Sequence, residues 1–353
     1  MKKRKIAKKS LKSNNSLILV VLVSVAIAIS SFFILLKDII TTKAASNNSL
    51  GRWISLGMEG VNVGAIAISP DFVSDKTLFI NSSEGIFKST NAGHTWEKLV
   101  NGLHIWHPSS FGGYNSSVAV SPNYAIDKTV FINSTPSDDG SLSGIYRSQD
   151  KGESWKLVNI EDIAIERYED AQISFSPDYS NDHIILIGGF GFLARSVNNG
   201  NSWHVINTSS NRGITDFAFS TNYSSDHTIF AAVTVGDDTS NTGGILKSTD
   251  RGETWNLLIP FDQPYITPWA VAVSPNFVHD HIIFAGTDAI DGVNNLIKSV
   301  DGGLTWQPAS RGLPITDIQD IVISPDGVIY AGAGGGGAFI SHDLGNSWVP
   351  LND

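Results

Sequence analysis

An eight-residue motif that combines hydroxyl, carboxylate and indole side chains recurs along the chain. Its pattern is Ser-x-Asp/Asn-x-Gly-x-Ser/Thr-Trp, and it occupies residues 89–96, 148–155, 196–203, 248–255, 299–306 and 341–348. A serine so close to a carboxylate could act as a nucleophile or as a metal ligand. Two copies carry Asn91 and Asn198 where the other copies carry Asp, so this position does not require a negative charge.

Turn formation explains both residue types in these octets. Asp and Asn side chains accept hydrogen bonds from nearby backbone N–H groups, and the glycine two residues later tolerates a positive φ. The indole offers a large apolar face for burial between neighbouring units. We therefore assign the octets a structural role. The residues with this role are Asn91, Trp96, Asp150, Trp155, Asn198, Trp203, Asp250, Trp255, Asp301, Trp306, Asp343 and Trp348.

A second motif, Ser-Pro/Thr-Asp/Asn, precedes each octet and is usually followed by an aromatic residue. It starts at Ser69, Ser121, Ser176, Ser220, Ser274 and Ser324. In five copies an Asp follows five residues after the Pro or Thr, whereas the sixth copy is shortened. The Asp residues are Asp75, Asp127, Asp182, Asp226 and Asp280. We interpret this motif as a turn between two strands.

Each unit of about 50 residues predicts four short strands, A to D. In the first unit, strand A covers residues 65–68, strand B 78–80 and strand C 85–88, and strand D begins at Trp96. No convincing helical periodicity occurs outside the apolar N-terminal run. Because four-stranded units repeated around a ring leave few exposed sheet edges, we predict an all-β fold, a β-propeller of six four-stranded blades.

The octets resemble the BNR or Asp-box repeats of sialidases, sortilin-type receptors, xyloglucanases and photosystem II assembly-factor-like propellers. The resemblance covers residues 52–353 and implies the propeller fold. It does not imply one function, because this blade occurs in hydrolases, receptors and assembly factors. Residues 52–56 resemble an isolated strand D, so a seven-bladed ring is the alternative.

The N-terminus predicts a membrane anchor. Residues 1–16 form a basic segment that we expect to be cytoplasmic, and residues 17–36 form an uncharged, mostly apolar run. At about 1.5 Å per residue, a helix of this length spans about 30 Å, the thickness of a bilayer core. The positive-inside rule then sends residues 37–51, a tether, and residues 52–353, the propeller, out of the cytoplasm. Cleavage as a signal peptide near Ala44 is the alternative, which leaves the protein secreted.

Composition excludes several classes of function. The chain has no cysteine, which rules out disulfides, thiolate catalysis and Cys-based zinc sites. Beyond residue 45, 15 basic residues face 33 acidic ones, a formal charge of −18. Such a surface repels phosphate backbones, so we expect no nucleic-acid partner. Asp237 and Asp238 lie in an oxygen-rich loop, but no EF-hand spacing is present, so we assign no metal and no cofactor.

The loops at the opposite end from the octets are rich in aromatic and acidic residues. Strands B and C are joined at that end, and so are each strand D and the next strand A. Flat rings stack on sugars or hold peptide side chains, and carboxylates bind hydroxyls or cations. The alternative is that the rings pack within their own loops. The candidate ligand-face residues are Trp106, His107, Tyr114, Tyr168, Tyr265 and Trp269.

A membrane-bound, non-catalytic binding or assembly scaffold for a protein or glycan is the predicted function. The alternative is a glycoside hydrolase, which needs a pair of carboxylates or, in sialidases, a Tyr nucleophile with several arginines. The chain lacks the Arg-Ile-Pro motif of sialidases. Arg147 and Arg195 lie beside octets and therefore away from the loop face, where a sialidase would need its arginines. The resemblance to xyloglucanases implies two propellers around a cleft, whereas one is seen here. Asp138 and Asp170 could be paired across the loop face, but we assign no catalytic residue.

Overall fold

The short apolar segments between the turn motifs form strands. The computed structural model describes residues 61–82, 84–103, 117–134, 144–161, 163, 171–206, 212–235, 243–258, 267–288 and 295–351. Blades 1 to 3 consist of β1 (Val63–Ile68), β2 (Leu78–Ser82), β3 (Gly85–Ser89), β4 (Glu97–Leu99); β5 (Val118–Val120), β6 (Val130–Ser134), β7 (Gly144–Ser148), β8 (Lys156–Leu157); and β9 (Gln172–Phe175), β10 (Ile185–Gly189), β11 (Phe192–Ser196), β12 (His204–Ile206). Blades 4 to 6 consist of β13 (Arg212–Phe219), β14 (Ile229–Val235), β15 (Gly244–Ser248), β16 (Asn256–Leu258); β17 (Pro268–Val273), β18 (Ile283–Thr287), β19 (Leu296–Ser299), β20 (Gln307–Pro308); and β21 (Ile318–Ile323), β22 (Ile329–Ala333), β23 (Gly337–Ser341), β24 (Val349–Pro350).

Each blade is an antiparallel sheet whose strands follow one another in chain order. The A strands of successive blades contact each other, from β1 with β5 through to β17 with β21, so the first strand of each blade lies innermost. The predicted propeller of six four-stranded blades is confirmed. Residues 52–56, on which the seven-bladed alternative rested, lie outside the described residues.

The predicted membrane helix, residues 17–36, also lies outside the described residues. Among the helices that the structure does describe, none has the length and apolar character needed to cross a membrane.

The turns between strands A and B contain helices that the sequence analysis did not predict. They are α1 (Phe72–Asp75), α2 (Tyr124–Asp127), α3 (Tyr179–Asp182), α4 (Tyr223–Asp226) and α5 (Phe277–Asp280). In blade 1, Ser69 Oγ donates to Asp75 Oδ2 at 2.6 Å, and Asp75 Oδ1 accepts the backbone N–H of Thr77 at 2.8 Å. These bonds explain the fixed spacing of the Asp. A single turn is too short to produce a 3.6-residue pattern.

The core lies between the blades. Trp155, the octet tryptophan of blade 2, is 3% exposed and belongs to a cluster with Phe79 and Leu99 of blade 1 and Val120 of blade 2. Comparable clusters join blades 2 and 3, 3 and 4, 4 and 5, and 5 and 6. Since each such side chain contributes on the order of 2–3 kcal/mol when buried, contacts between blades stabilise the ring.

A cation on strand C also links each of the first five blades to the next. Arg195 Nε donates to the carbonyl of Arg251 at 2.8 Å, and Lys298 Nζ donates to that of Leu344 at 2.8 Å. The accepting residues Arg251 and Leu344 stand at the fourth octet position with φ of 63° and 56°. Blade 6 has Ile340 at the place of the cation.

Candidate functional site

The octets form the turns between strands C and D, and their polar side chains are bound within the turn. In blade 4, Ser248 Oγ accepts the N–H of Gly252 at 2.9 Å and donates to Asp250 Oδ1 at 2.7 Å. Asp250 Oδ1 also accepts the backbone N–H of Thr254 at 2.9 Å. The serine and the carboxylate are therefore turn-forming groups.

The asparagine octets make the same bonds. Asn91 Oδ1 accepts from Ser89 Oγ at 2.9 Å and from the N–H of Thr95 at 2.9 Å. Asn91 Nδ2 donates to Thr95 Oγ1 at 2.8 Å, where the aspartate octets accept a hydroxyl proton instead. An amide thus replaces the carboxylate without loss of the turn.

The octet carboxylates are also poor proton donors. The hydroxyl of Thr305 lowers the pKa of Asp301 to about 2, and the hydroxyl of Ser347 lowers that of Asp343 to about 2. Both groups are ionised at neutral pH, because hydrogen bonds to the charged form favour it. This excludes them as general acids near neutral pH.

Asp250→Asn is expected to change the free energy of unfolding by less than about 0.5 kcal/mol, whereas Asp250→Ala should lower it by about 1–2 kcal/mol. The amide keeps the acceptor oxygen, as Asn91 does, while alanine leaves the N–H of Thr254 without its acceptor. Urea unfolding of the two variants at pH 7 measures the difference. Equal losses for Asn and Ala would contradict this role for the octet.

The sequence analysis assigned the candidate ligand face to the connections at the opposite end of the blades. Trp106, His107, Tyr114, Tyr168 and Tyr265 lie outside the described residues, as do Asp138 and Asp170. Trp269 is the member of the set that the structure describes, and its side chain is half-buried.

Trp269 stands at a β-bulge in β17, between the paired residues Pro268 and Ala270. A bulge adds one unpaired residue and redirects its side chain. The indole Nε1 donates to the carboxylate of Asp288, whose backbone N–H donates to the carbonyl of Thr267 at 3.2 Å. The ring is therefore held in one orientation at the end of blade 5.

The electrostatics at this end are acidic. Burial raises the pKa of Asp288 above its usual range, and the negative charge of Asp317 in blade 6 adds to the shift. Nearby, Gln319 is exposed at the corresponding bulge of β21. An aromatic ring beside carboxylates can bind a sugar or a cationic side chain.

Two further carboxylates on the innermost strands were missed by the sequence analysis. Asp216 in β13 and Asp320 in β21 each stand four residues before the serine of the A–B turn motif, which are Ser220 and Ser324. Aligning the repeats on that serine would have revealed them. Neither belongs to a metal-binding group, since the described residues contain no cluster of three or more His, Asp or Glu side chains placed to hold an ion.

The fold is similar to that of xyloglucan-degrading enzymes. The GH74 xyloglucanase from Xanthomonas campestris superposes with a TM-score of 0.59 at 19% identity, over 82% of this chain and 47% of that chain. The GH74 enzyme of Niastella koreensis superposes with a TM-score of 0.60 at 19% identity, over 81% of this chain and 46% of that one. At this identity the likeness shows the fold alone.

The structure of YCF48 bound to D1 peptide is also similar, with a TM-score of 0.53 at 13% identity over 82% of this chain and 80% of that chain. In sequence, xyloglucanase Xgh74A of Acetivibrio thermocellus is 37% identical over 84 residues, which is 22% of this chain and 9% of the enzyme. The chain thus spans less than half the length of these GH74 proteins. No protein-family model matches it.

Proposed function

We propose that this protein is a membrane-anchored, extracytoplasmic scaffold that binds a protein or glycan without catalysis. The observation that carries the proposal is Trp269, a half-buried ring fixed by Asp288 at the loop end of the propeller. A ring held in place before binding loses little conformational entropy on contact. Its apolar face can stack on a sugar or a peptide side chain.

The similarity to YCF48 supports a binding role. That structure holds a D1 peptide, and this chain covers 80% of it. A propeller of this size is therefore large enough to bind a peptide. The GH74 enzymes are more than twice as long as the part matched here.

The proposed location rests on residues 1–36. A basic segment before an uncharged apolar run favours a retained helix with the propeller outside the cytoplasm. The formal charge of −18 beyond residue 45 also favours neutral or cationic partners over nucleic acid.

A glycoside hydrolase is the second candidate, favoured by the 84-residue identity with xyloglucanase Xgh74A. Hydrolysis requires two carboxylates on either side of the scissile bond, one of them protonated. Asp288 has a raised pKa, but it accepts the indole N–H of Trp269 and so serves to position the ring. This contact favours binding over hydrolysis.

Trp106→Ala combined with Trp269→Ala is expected to weaken ligand binding at least about tenfold, since each stacked ring contributes on the order of 1 kcal/mol or more. The full-length protein in lipid nanodiscs is titrated with xyloglucan oligosaccharides by calorimetry. Protein partners are compared by photo-crosslinking in native membranes, with each crosslinked protein identified.

Leu304→Ala is the matched control, because Leu304 lies in the octet of blade 5, the blade that contains Trp269, and is 77% exposed. This variant should bind like the wild type. If the double variant binds and crosslinks as well as the wild type, the proposed face is wrong. Release of reducing sugar from xyloglucan would instead favour the hydrolase.

A further inference from the structure

A cleft with a volume of about 340 Å³ opens between the outer strand of blade 5 and the octet of blade 6. The polar side chains that line it are those of Lys298, Gln307, Ser310, Arg311 and Asn346. All of them can donate hydrogen bonds, and none of the described residues that line the cleft is acidic. Such a lining favours an anionic ligand. We call this site the blade 5–6 cleft.

Lys298 is the buried cation of the cleft. It is 7% exposed, and its Nζ donates to the carbonyl of Leu344 at 2.8 Å. An ammonium group has three N–H donors, so two remain beyond this bond. Burial lowers the pKa of Lys298, although the negative charges of Asp280 and Asp343 oppose the shift. A further anion in contact with Nζ would stabilise the charged form of this side chain.

The seam between blades 1 and 2 shows how such a cation binds a carboxylate. Lys88 holds the place of Lys298, directly before the octet serine of its strand, and is also 7% exposed. Its Nζ donates to Oε1 of Glu153 at 2.7 Å. Glu153 is the sixth octet residue of blade 2, whereas blade 6 has Asn346 at that position. Blade 6 therefore supplies no carboxylate to Lys298 from the place where blade 2 supplies one to Lys88.

Arg311 adds a second cation to the blade 5–6 cleft. It stands five residues after the octet tryptophan of its blade, where blade 1 has the uncharged Asn101. The carbonyl of Arg311 accepts the N–H of Trp348 at 3.0 Å, which fixes its backbone, while its side chain is exposed. A guanidinium group can bind both oxygens of a carboxylate at once. The cleft thus combines a buried cation with an exposed one.

The charge of the whole domain narrows the choice of anion. Beyond residue 45 the formal charge is −18, so a polyanion is repelled before it reaches the cleft. A single carboxylate on an otherwise neutral molecule is repelled far less. Gln307 and Ser310 line the same cleft and can bind hydroxyl groups next to that carboxylate. A sugar acid offers both kinds of group, whereas an acidic amino-acid side chain offers the carboxylate alone.

We propose that the blade 5–6 cleft binds a sugar acid, a uronate residue of a glycan, through its carboxylate. Lys298 and Arg311 donate to the carboxylate, and Gln307 binds a neighbouring hydroxyl group. The cleft lies beside the octets, whereas Trp269 stands at the loop end of the propeller. The inference therefore does not depend on the ligand face of the proposed function.

The test measures binding of sodium D-glucuronate to the full-length protein in phosphatidylcholine nanodiscs by ligand-observed NMR. The wild type is expected to bind glucuronate at least about tenfold more tightly than glucose, which lacks the carboxylate. Asn346→Glu restores the carboxylate that blade 2 has at this octet position, so it should occupy the cleft and weaken glucuronate binding at least about tenfold. Arg311→Gln removes the exposed cation and should weaken binding by about tenfold.

Asn201→Glu is the matched control, because it adds the same charge at the sixth octet position of blade 3, and it should bind glucuronate like the wild type. Thermal unfolding shows which variants fold, and Arg311→Gln alone decides the outcome if Asn346→Glu does not. The proposal is overturned if the wild type binds glucuronate no better than glucose, or if every folded variant binds it as tightly as the wild type. Tighter binding of a blocked glutamate peptide than of glucuronate would also overturn it, in favour of an acidic protein segment.

Discussion

Trp348→Ala is expected to lower the free energy of unfolding by about 3–5 kcal/mol, the usual range for deleting a buried Trp. Trp348 is 4% exposed and packs in the cluster between blades 5 and 6 with Phe284 and Phe339. Its indole Nε1 donates to the buried carbonyl of Ala309 at 2.7 Å. The substitution therefore opens a cavity and leaves an acceptor without its donor. Urea unfolding followed by circular dichroism measures the loss.

Two variants separate these contributions. Trp348→Phe keeps most of the apolar volume but loses the indole N–H, so we expect a loss of about 1–2 kcal/mol. Trp96→Ala removes the tryptophan at the same octet position in blade 1, where the side chain is half-buried, and should lose less than Trp348→Ala. If Trp96→Ala proves as damaging as Trp348→Ala, burial between blades does not explain the role of the octet tryptophan.

Gly312→Ala is expected to destabilise the protein by about 2–5 kcal/mol. Gly312 has φ of +97°, which costs an L-residue about 1–2 kcal/mol. A Cβ atom there would also lie 2.3 Å from the backbone oxygen of Trp348, and such crowding typically adds about 1–3 kcal/mol. The adjacent carbonyl of Arg311 accepts the N–H of Trp348 at 3.0 Å, so the close approach is part of the contact between blades 5 and 6.

Gly335→Ala measures the cost of a positive φ without the steric contact. Gly335 has φ of +68°, but nothing lies within 4 Å of a Cβ atom added there. We expect a loss of only about 1–2 kcal/mol. Gly102→Ala should repeat the result for Gly312, because its Cβ would lie 2.2 Å from the oxygen of Trp155. Equal losses of unfolding free energy for the substitutions at positions 312 and 335 would show that the close approach of Gly312 to Trp348 contributes nothing to the effect.

Much of the fold could be predicted because its turns depend on neighbouring residues. The octet of blade 4 is closed by bonds from Ser248 and Asp250 to groups no more than four residues away. Six copies of such a turn, at regular spacing and between apolar segments, predict the strand order without reference to distant contacts. The sequence analysis did not predict the helices α1 to α5, because a helix of a single turn gives no periodic pattern of apolar residues.

Of the six predicted ligand-face residues, the structure describes Trp269, and its role in binding stays a prediction. The sequence analysis placed Trp269 in a loop, whereas it lies in β17, and its bond to Asp288 depends on a residue 19 positions away. The bulge that redirects its side chain has no signal in the sequence of β17. All six candidates of the ligand face stay predictions, and five of them lie outside the described residues.

By itself, the sequence determined a repeated four-stranded unit, the place of its turns and the absence of cysteine chemistry. Tertiary structure alone decided which groups of different blades meet. The bond from Val271 to Asp216 joins residues 55 positions apart, and that from Lys298 to Leu344 joins residues 46 apart. Local turns depend on hydrogen bonds within a few residues, whereas burial and the pKa of a carboxyl depend on what the neighbouring blade places against it.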